Sequence, residues 1–479
     1  MTGTATTPRI ALQFHNSLTR RLEPFAPLDG REARLYTCGP TVYNFAHIGN
    51  FRAYLFEDIL RRTLEYAGYR VRQAMNLTDV DDKTIRGARA AGVPLKAYTQ
   101  PFVYAFFADL RSLNIEPAEV YPAATDHIPE MIALIRRLFD AGLAYRSEDG
   151  SVYFKVSAYP AYGRLAHLDL QGLKAGARVA QDEYEKENVG DFALWKAWDA
   201  ADGDVAWDSP WGRGRPGWHI ECSAMGMKYL GETFDLHTGG IDNLFPHHEN
   251  EIAQSEGATG RPFVRQWLHC AHLRVEGEKM SKSLGNFYTL RDVLAKGYTG
   301  REVRCVLING QYRQALNFTF DALAAARASL ARVDEFGDKL AEAAPAPDAS
   351  APLPAWAGRA QQAFDAALAD DLNVPEAFAA LFQLVREGNA ALQSGGLDRA
   401  GAGAVRALLA DLDRVLGIVE FGRRAPGDGV PDDVARLLEA RAAARAARNW
   451  KESDRLRDAI AALGWEVRDG KDGQKAKQR

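Results

Sequence analysis

The alternation of apolar and polar positions changes character along the chain, and the changes mark out its parts. Arg34 to Cys38 reads as a short strand running into Gly39-Pro40. His47 to Tyr66 carries apolar residues at helical spacing, and Gly68 supplies a stop. Arg70 to Leu77 reads as the next strand. Thr78 to Lys83 is an Asp-rich polar turn, after which the apolar spacing is helical again. Strand, helix and strand in this order predict a βαβ unit and a parallel sheet from Arg9 to about Pro129.

From about 130 to 213 the pattern breaks into short strand-like runs such as Ser151 to Val156, a charged stretch at Asp182 to Asn188, and a Pro/Gly-rich exit from Pro210 to Gly217. This reads as an insertion, with the sheet domain resuming from Trp218 to Leu273. Beyond Tyr288 the spacing is helical. Ala343 to Pro354 is an Ala/Pro-rich connection, Pro375 to Val419 has the periodicity of a bundle, and Arg423 to Pro431 is a second joint. One helix is expected from Val434 to Leu463, then Gly464 and a strand from Trp465 to Val467. The predicted fold is α/β: a Rossmann-type parallel-sheet catalytic domain with an insertion, followed by an α-helical bundle and a small C-terminal α+β unit. The expected boundaries are 1–129 and 214–275 for the two halves of the sheet domain, 130–213 for the insertion, 276–335 for the segment that carries Lys279 to Ser283, 336–425 for the bundle and 426–479 for the last unit.

The 479 residues exceed what one core organises, so two to four domains are expected. A net charge of −4 advertises no nucleic acid, so an RNA partner requires a local basic face. No run of about 20 apolar residues is present to span a bilayer, and Met1 to Pro8 is polar. Four scattered cysteines do not make a disulfide framework, which favours a reducing cytoplasm.

Two short motifs carry chemistry. Residues 279–283 read Lys-Met-Ser-Lys-Ser before Gly285, a stretch able to close over a triphosphate. Residues 47–50 read His-Ile-Gly-Asn at a strand-to-helix handover, where free N–H groups can face a phosphate. Neither is specific alone. Both in this order point to ATP. Gly239, Gly240 and Asp242 form a Gly-Gly-x-Asp turn that suits close nucleotide approach and ribose hydrogen bonding, with helix capping as the other use of Asp242.

Residues 246–251 read Pro-His-His-Glu-Asn-Glu. A helix starting at the proline puts His247 and Glu251 on one face. A zinc-hydrolase motif is excluded, because Ile252 stands where its second histidine belongs. Cys38 and Cys222 are flanked by turns and suit a metal site. Cys270 and Cys305 lie in apolar runs and read as core. On spacing alone, a metal and four inert small hydrophobes are equally good accounts.

The stretches Tyr36–Arg52, Asn76–Lys83, Gly217–Met225, Asp235–Gln254 and Lys279–Asn286 together resemble the cysteinyl-tRNA synthetases, which are class I aminoacyl-tRNA synthetases. The resemblance extends through most of the chain and into Arg445–Asp458. It implies ATP-dependent ligation of L-cysteine to tRNA(Cys) through a cysteinyl-adenylate. It also implies one Zn²⁺ held by Cys38, Cys222, His247 and Glu251, which selects the substrate thiolate, and Mg²⁺ entering with ATP. Zinc favours sulfur over a serine hydroxyl. Ten-thousand-fold discrimination needs about 5.5 kcal/mol, within reach of a lost coordination bond. The resemblance further assigns His47, Lys279 and Lys282 to catalysis, and His47, Asn50, Gly239, Gly240, Asp242 and Lys282 to ATP. Thr41, Trp218 and His237 go to the cysteine pocket. Asn50 departs from the histidine that usually ends the first motif.

Arg441, Arg445, Arg448, Lys451, Arg455 and Arg457 with Trp450 make a basic, aromatic-bearing helix. The resemblance assigns Arg445, Trp450, Asp454 and Asp469 to the tRNA anticodon, although the tail after Gly470 departs from the family. A monomer is the family expectation. The competing readings are a ligase joining cysteine to a small amine, and a zinc-dependent tRNA-binding protein without catalysis.

Overall fold

The computed structural model describes residues 8–168, 190–281, 284–419, 421, 432–463, 465–470 and 473–478. The charged stretch 182–188, Lys282, Ser283 and the joint 423–431 lie outside the described residues.

A small antiparallel hairpin, β1 (Gln13–Asn16) and β2 (Arg21–Pro24), precedes β3 (Glu32–Thr37). The chain then enters α1 (Ile48–Tyr66) and returns as β4 (Arg70–Met75), parallel to β3. This is the predicted βαβ unit. Three helices come next: α2 (Asp82–Ala91), α3 (Leu95–Ser112) and α4 (Ile128–Asp140). The polar turn expected over Thr78–Lys83 is cut short, because Asp81 caps α2 through the Lys83 and Thr84 N–H groups.

An antiparallel sheet of β5 (Ala144–Arg146), β6 (Val152–Phe154), β7 (Phe192–Ala197) and β8 (Gly214–Pro216) interrupts the parallel one. The chain comes back through α5 (Trp218–Leu230), β9 (Phe234–Gly240), α6 (Glu249–Thr259) and β10 (Val264–Cys270).

The parallel sheet has the order β10-β9-β3-β4. The chain builds outward from β3 to β4, then returns to lay β9 on the other side of β3. The crevice beyond the C-terminal ends of β3 and β9 is therefore a topological switch point, where ligands bind in open α/β sheets. Cys38, the turn before α1 and the Gly239-Gly240 turn all open onto it.

Beyond β10 come β11 (Leu273–Val275), β12 (Glu278–Lys279), α7 (Leu290–Ala295), α8 (Gly300–Ile308) and β13 (Leu316–Phe318). A bundle is then built from α9 (Phe320–Ala343), α10 (Ala355–Ala369), α11 (Val374–Gln393) and α12 (Arg399–Leu416). The last unit holds α13 (Asp432–Ala446), α14 (Trp450–Ala462) and a hairpin of β14 (Trp465–Gly470) with β15 (Gly473–Gln478).

Helix α1 is buried on most of its circumference, so its charged residues need partners. Asp58, fully buried, meets Arg62 at 2.8 Å and Arg304 at 2.6 Å, and accepts the Glu116 N–H. The two arginines hold the Asp58 carboxyl ionised below its usual range against the opposing effect of burial. Arg304 belongs to α8, so one buried cluster clamps the sheet domain to the segment beyond it.

The single helix expected from Val434 to Leu463 is two. Arg448 takes a left-handed φ of 56°, and Asn449 caps α14 by accepting the Glu452 N–H. Among the described residues, no helix is long and apolar enough to cross a membrane.

Candidate active site and metal centre

Four donors converge at the switch point. One ligand atom from each of Cys38, His247, His248 and Glu251 lies within 4.8 Å of all the others, and all four residues are buried. Cys38 follows β3 directly, and its N–H is held by the Thr238 carbonyl of β9 at 3.2 Å. Gly39 must be a glycine here, since a Cβ would stand 1.8 Å from the Asn76 carbonyl oxygen.

The histidines follow a break in the chain: Phe245 is extended (φ −140°, ψ 132°), the residues after it return to helical angles, and they lead into α6 at Glu249. His247 Nε2 still comes 3.0 Å from Glu251 Oε1. That oxygen is buried and has no hydrogen-bond donor, so the two groups face each other without satisfying each other. A cation between them resolves the conflict, and this is the observation that fits a metal.

Hydrogen bonds behind the four donors orient them. His237 Nε2 lies 3.0 Å from Glu251 Oε2, His219 Nδ1 2.9 Å from His247 Nδ1, and His248 Nδ1 2.8 Å from His269 Nε2. His248 Nε2 lies 3.2 Å from Cys38 Sγ. Burial moves every titratable group here toward neutrality. It lowers His237, His247 and His269 to about 3, takes His248 well below its usual value, and pushes Glu251 up to about 8. The Cys38 thiol is raised well above its ordinary value, chiefly by burial, and Cys222 is raised for the same reason.

The tight group contains His248, where the sequence reading has Cys222. The buried Cys222 thiol lies beside the Cys38 thiol, close enough for each to affect the other's titration. Cys270 and Cys305 are buried core residues in β10 and α8.

Trp218, 38% exposed, stacks on His247 at 4.4 Å and 20°. Thr41 pairs with Thr78 in an isolated bridge beside Cys38. His237 does not line an open pocket: it is fully buried, behind Glu251 and stacked on Trp267.

On the nucleotide side, His47 is the N-cap of α1. Its Nδ1 accepts the Asn50 N–H at 3.1 Å, and Asn50 Oδ1 accepts the His47 N–H at 3.1 Å. Asn50 therefore has a structural use, completing a reciprocal capping box. Gly239 and Gly240 end β9. A Cβ on Gly239 would reach 2.9 Å from the His248 ring, which couples this turn to the four-donor cluster. Asp242 is exposed and caps no helix.

Lys279 is exposed in β12, and Met280 is next, its methyl 2.9 Å from where a Gly49 Cβ would stand. Asn286 bridges this arm, accepting the Ser281 N–H at 2.8 Å and donating to the Lys279 carbonyl at 3.2 Å. Phe287 meets the His47 ring edge-on at 5.0 Å. The sequence reading misses His219, His248, His269 and Asn286. The adjacent histidines of the Pro-His-His-Glu run are the signal for His248.

In the last unit, Trp450 is 58% exposed and the Arg445 guanidinium lies 5.9 Å from its ring. Asp454 pairs with Arg457 at 3.2 Å. Asp469 lies in β14.

The chain matches the family described as "tRNA synthetases class I (C) catalytic domain" over residues 24–328, the DALR domain over 363–420, and "Cysteinyl-tRNA ligase anticodon binding domain" over 427–475. It is 48% identical to the cysteine–tRNA ligase of Chlamydia muridarum over 477 residues, covering 98% of this chain and 99% of the relative. Identity to the enzyme of the same name from Protochlamydia amoebophila is 49% over 473 residues, 98% of each chain. Among solved structures it resembles the Mycobacterium tuberculosis methionyl-tRNA synthetase in complex with methionyl-adenylate, with a TM-score of 0.58 at 16% identity over 81% of this chain and 90% of the other. It also resembles an Agrobacterium radiobacter leucyl-tRNA synthetase complex, with a TM-score of 0.57 at 13% identity over 81% and 84%. These two likenesses show the fold.

Proposed function

The chain belongs to the cysteine–tRNA ligase family of class I aminoacyl-tRNA synthetases, and from that premise we propose how its residues divide the work. The enzyme ligates cysteine to tRNA. The alternative of a ligase acting on a small amine falls with the match of the last unit to an anticodon-binding family.

In our reading the cysteine carboxylate attacks the α-phosphorus of ATP, giving cysteinyl-adenylate and pyrophosphate. The terminal ribose hydroxyl of tRNA, the 2′-OH by class, then attacks the acyl carbon. His47 acts at the phosphates. Because its Nδ1 accepts the capping N–H, its ring proton sits on Nε2, the donor available to an oxygen as charge develops. Lys279 and Lys282 neutralise the same charge from the loop, and Mg²⁺ enters with ATP. Gly239 and Gly240 let the nucleotide approach the backbone, Asp242 accepts from its ribose, and Asn50 serves through the α1 cap.

Cys38, Cys222, His247 and Glu251 would hold a zinc ion, with His248 as the competing donor. His248 has both ring nitrogens engaged, by Cys38 and His269, which favours a supporting role. An ion held there would supply a Lewis acid with a preference for sulfur as thiolate. Trp218 and Thr41 shape the space for the amino acid, while His237 steadies Glu251. Arg445, Trp450, Asp454 and Asp469 read the anticodon, the exposed Trp450 offering a stacking face. The division at 129/130, 213/214, 275/276, 335/336 and 425/426 is part of the same reading, as are a monomeric state and a cytoplasmic location.

His247 facing the buried Glu251 Oε1, which has no hydrogen-bond donor, beside Cys38 carries this proposal. Charging of a tRNA bearing a GCA anticodon with labelled cysteine, with serine as the control, tests it. Cysteine-only charging with one zinc per chain is expected, the zinc being lost in Cys222→Ser and kept in His248→Gln. Equal charging with serine overturns the metal's role in selection.

A further inference from the structure

Arg291 joins four segments that are distant in sequence. It is the second residue of α7, the helix that comes after the Lys279–Ser283 loop. Its guanidinium lies 5.0 Å from the Phe45 ring, two residues before His47. Its Nη2 is 3.3 Å from Asp109 Oδ1 of α3 and also donates to the Ala105 carbonyl at 3.4 Å. The same nitrogen donates at 3.0 Å to the carbonyl of Ala462, the last residue of α14. Terminal helix carbonyls lack partners and carry the negative end of the helix dipole, so a guanidinium is a fitting donor there.

Around this contact the C-terminal unit seats on the catalytic domain. Ala108 of α3 shares a buried cluster with Val434, Ile460 and Leu463, with Tyr104 at its edge. On the other side of Arg291, the strip before α7 touches the catalytic histidine. Phe287 meets the His47 ring, the Tyr288 carbonyl accepts the Ile48 N–H at 3.0 Å, and Thr289 both bridges to His47 and caps α7. One side chain thus connects the seat of the tRNA-reading unit to the strip that holds His47.

We propose that Arg291 is a positioning residue through which the seating of the C-terminal unit on α3 sets the strip Phe287–Thr289 against His47, and so the rate of adenylate formation without tRNA. This rests on the adenylate-forming reading above. A planar guanidinium serves the ring, the carboxylate and the two carbonyls together, whereas an ammonium cannot match that geometry.

The test is cysteine-dependent ATP–pyrophosphate exchange by the full-length protein without tRNA, in wild type, Arg291→Ala, Arg291→Lys, Ala108→Gln and the double variant Arg291→Ala/Ala108→Gln. Ala108→Gln wedges the seat open without touching Arg291, and Tyr104→Ala replaces it if that variant does not fold. Arg291→Ala and Ala108→Gln should each lower kcat about tenfold, with zinc content and Tm near wild type. Arg291→Lys should fall between, and the double variant should match Arg291→Ala within about twofold, because both changes cut one connection. Unchanged kcat in Arg291→Ala overturns the proposal. So do losses that multiply to about a hundredfold in the double variant, or losses that track Tm. Absence of exchange in the wild type would instead refute the adenylate reading itself.

Discussion

Loading the site with zinc should release a countable number of protons, and the count identifies the ligands. Without metal, burial keeps the acidic donors protonated. With Glu251 at about 8, about 0.9 of its proton is present at pH 7. The Cys38 and Cys222 thiols, both raised by burial, contribute one proton each on becoming thiolates. His247, lowered to about 3, is already neutral and releases nothing, and the same holds for His248.

A site built from Cys38, Cys222, His247 and Glu251 therefore releases about three protons at pH 7, and one with His248 in place of Cys222 about two. Calorimetric titration of the metal-stripped protein with zinc, in buffers of different ionisation enthalpy, gives the number as a slope. Glu251→Gln should lower it by about 0.9 and weaken binding at least tenfold. Raising the pH to 9 should cut the Glu251 share to about 0.1. A release well below about 0.9 proton at pH 7 would refute the whole argument, since even the carboxylate alone would release that much.

Three further outcomes are expected. His47→Asn keeps a good N-cap but removes the imidazole, so Tm and zinc content should hold while adenylate formation falls by about 10²–10³ in single-turnover assays; a normal rate would remove His47 from the chemistry. Asp58→Ala strands the fully buried Arg304 and should cost about 3–5 kcal/mol, read as a lowered urea midpoint; a loss under about 1 kcal/mol would show that the clamp between α1 and α8 is not needed. Burial raises Asp109 from its ordinary 3.8 to about 7, so its contribution to stability declines as pH rises between those values. Asp109→Asn should therefore gain Tm relative to wild type from about pH 4 upward and level off above about pH 7, and a gap that closes with rising pH would contradict the assignment.

How far the chain alone can be read depends on how local each feature is. The βαβ unit, the start of α1 at His47 and the core role of Cys270 and Cys305 are written in periodicities of a few residues, and all appear in the structure. The expected helix from Val434 to Leu463 rests on the same rule and fails at Arg448 and Asn449, where a left-handed turn and a cap divide a sequence with no proline or glycine to announce the break.

The donor cluster is legible only in part. Helical spacing pairs His247 with Glu251, and that i,i+4 contact is present after the break at extended Phe245. His248 stands about 100° round a helix from His247, so the spacing to Glu251 gives no sign of it as a donor. The supporting shell is further from reach: His269 lies on β10, His219 on α5 and His237 on β9, and only the folded sheet brings them behind the donors.

Asn50 joins the two kinds of feature. As a departure from the motif it puts an uncharged amide where a histidine usually stands, among the residues assigned to ATP. In the structure its side chain accepts the His47 N–H, while its own N–H fixes His47 Nδ1 as an acceptor and so leaves the proton on Nε2. The backbone N–H of residue 50 sets that tautomer whatever its side chain. The asparagine adds the second half of the box, holding the histidine at the helix start by a local bond, so the chemistry assigned to His47 survives the substitution because its orientation is built into the cap of α1.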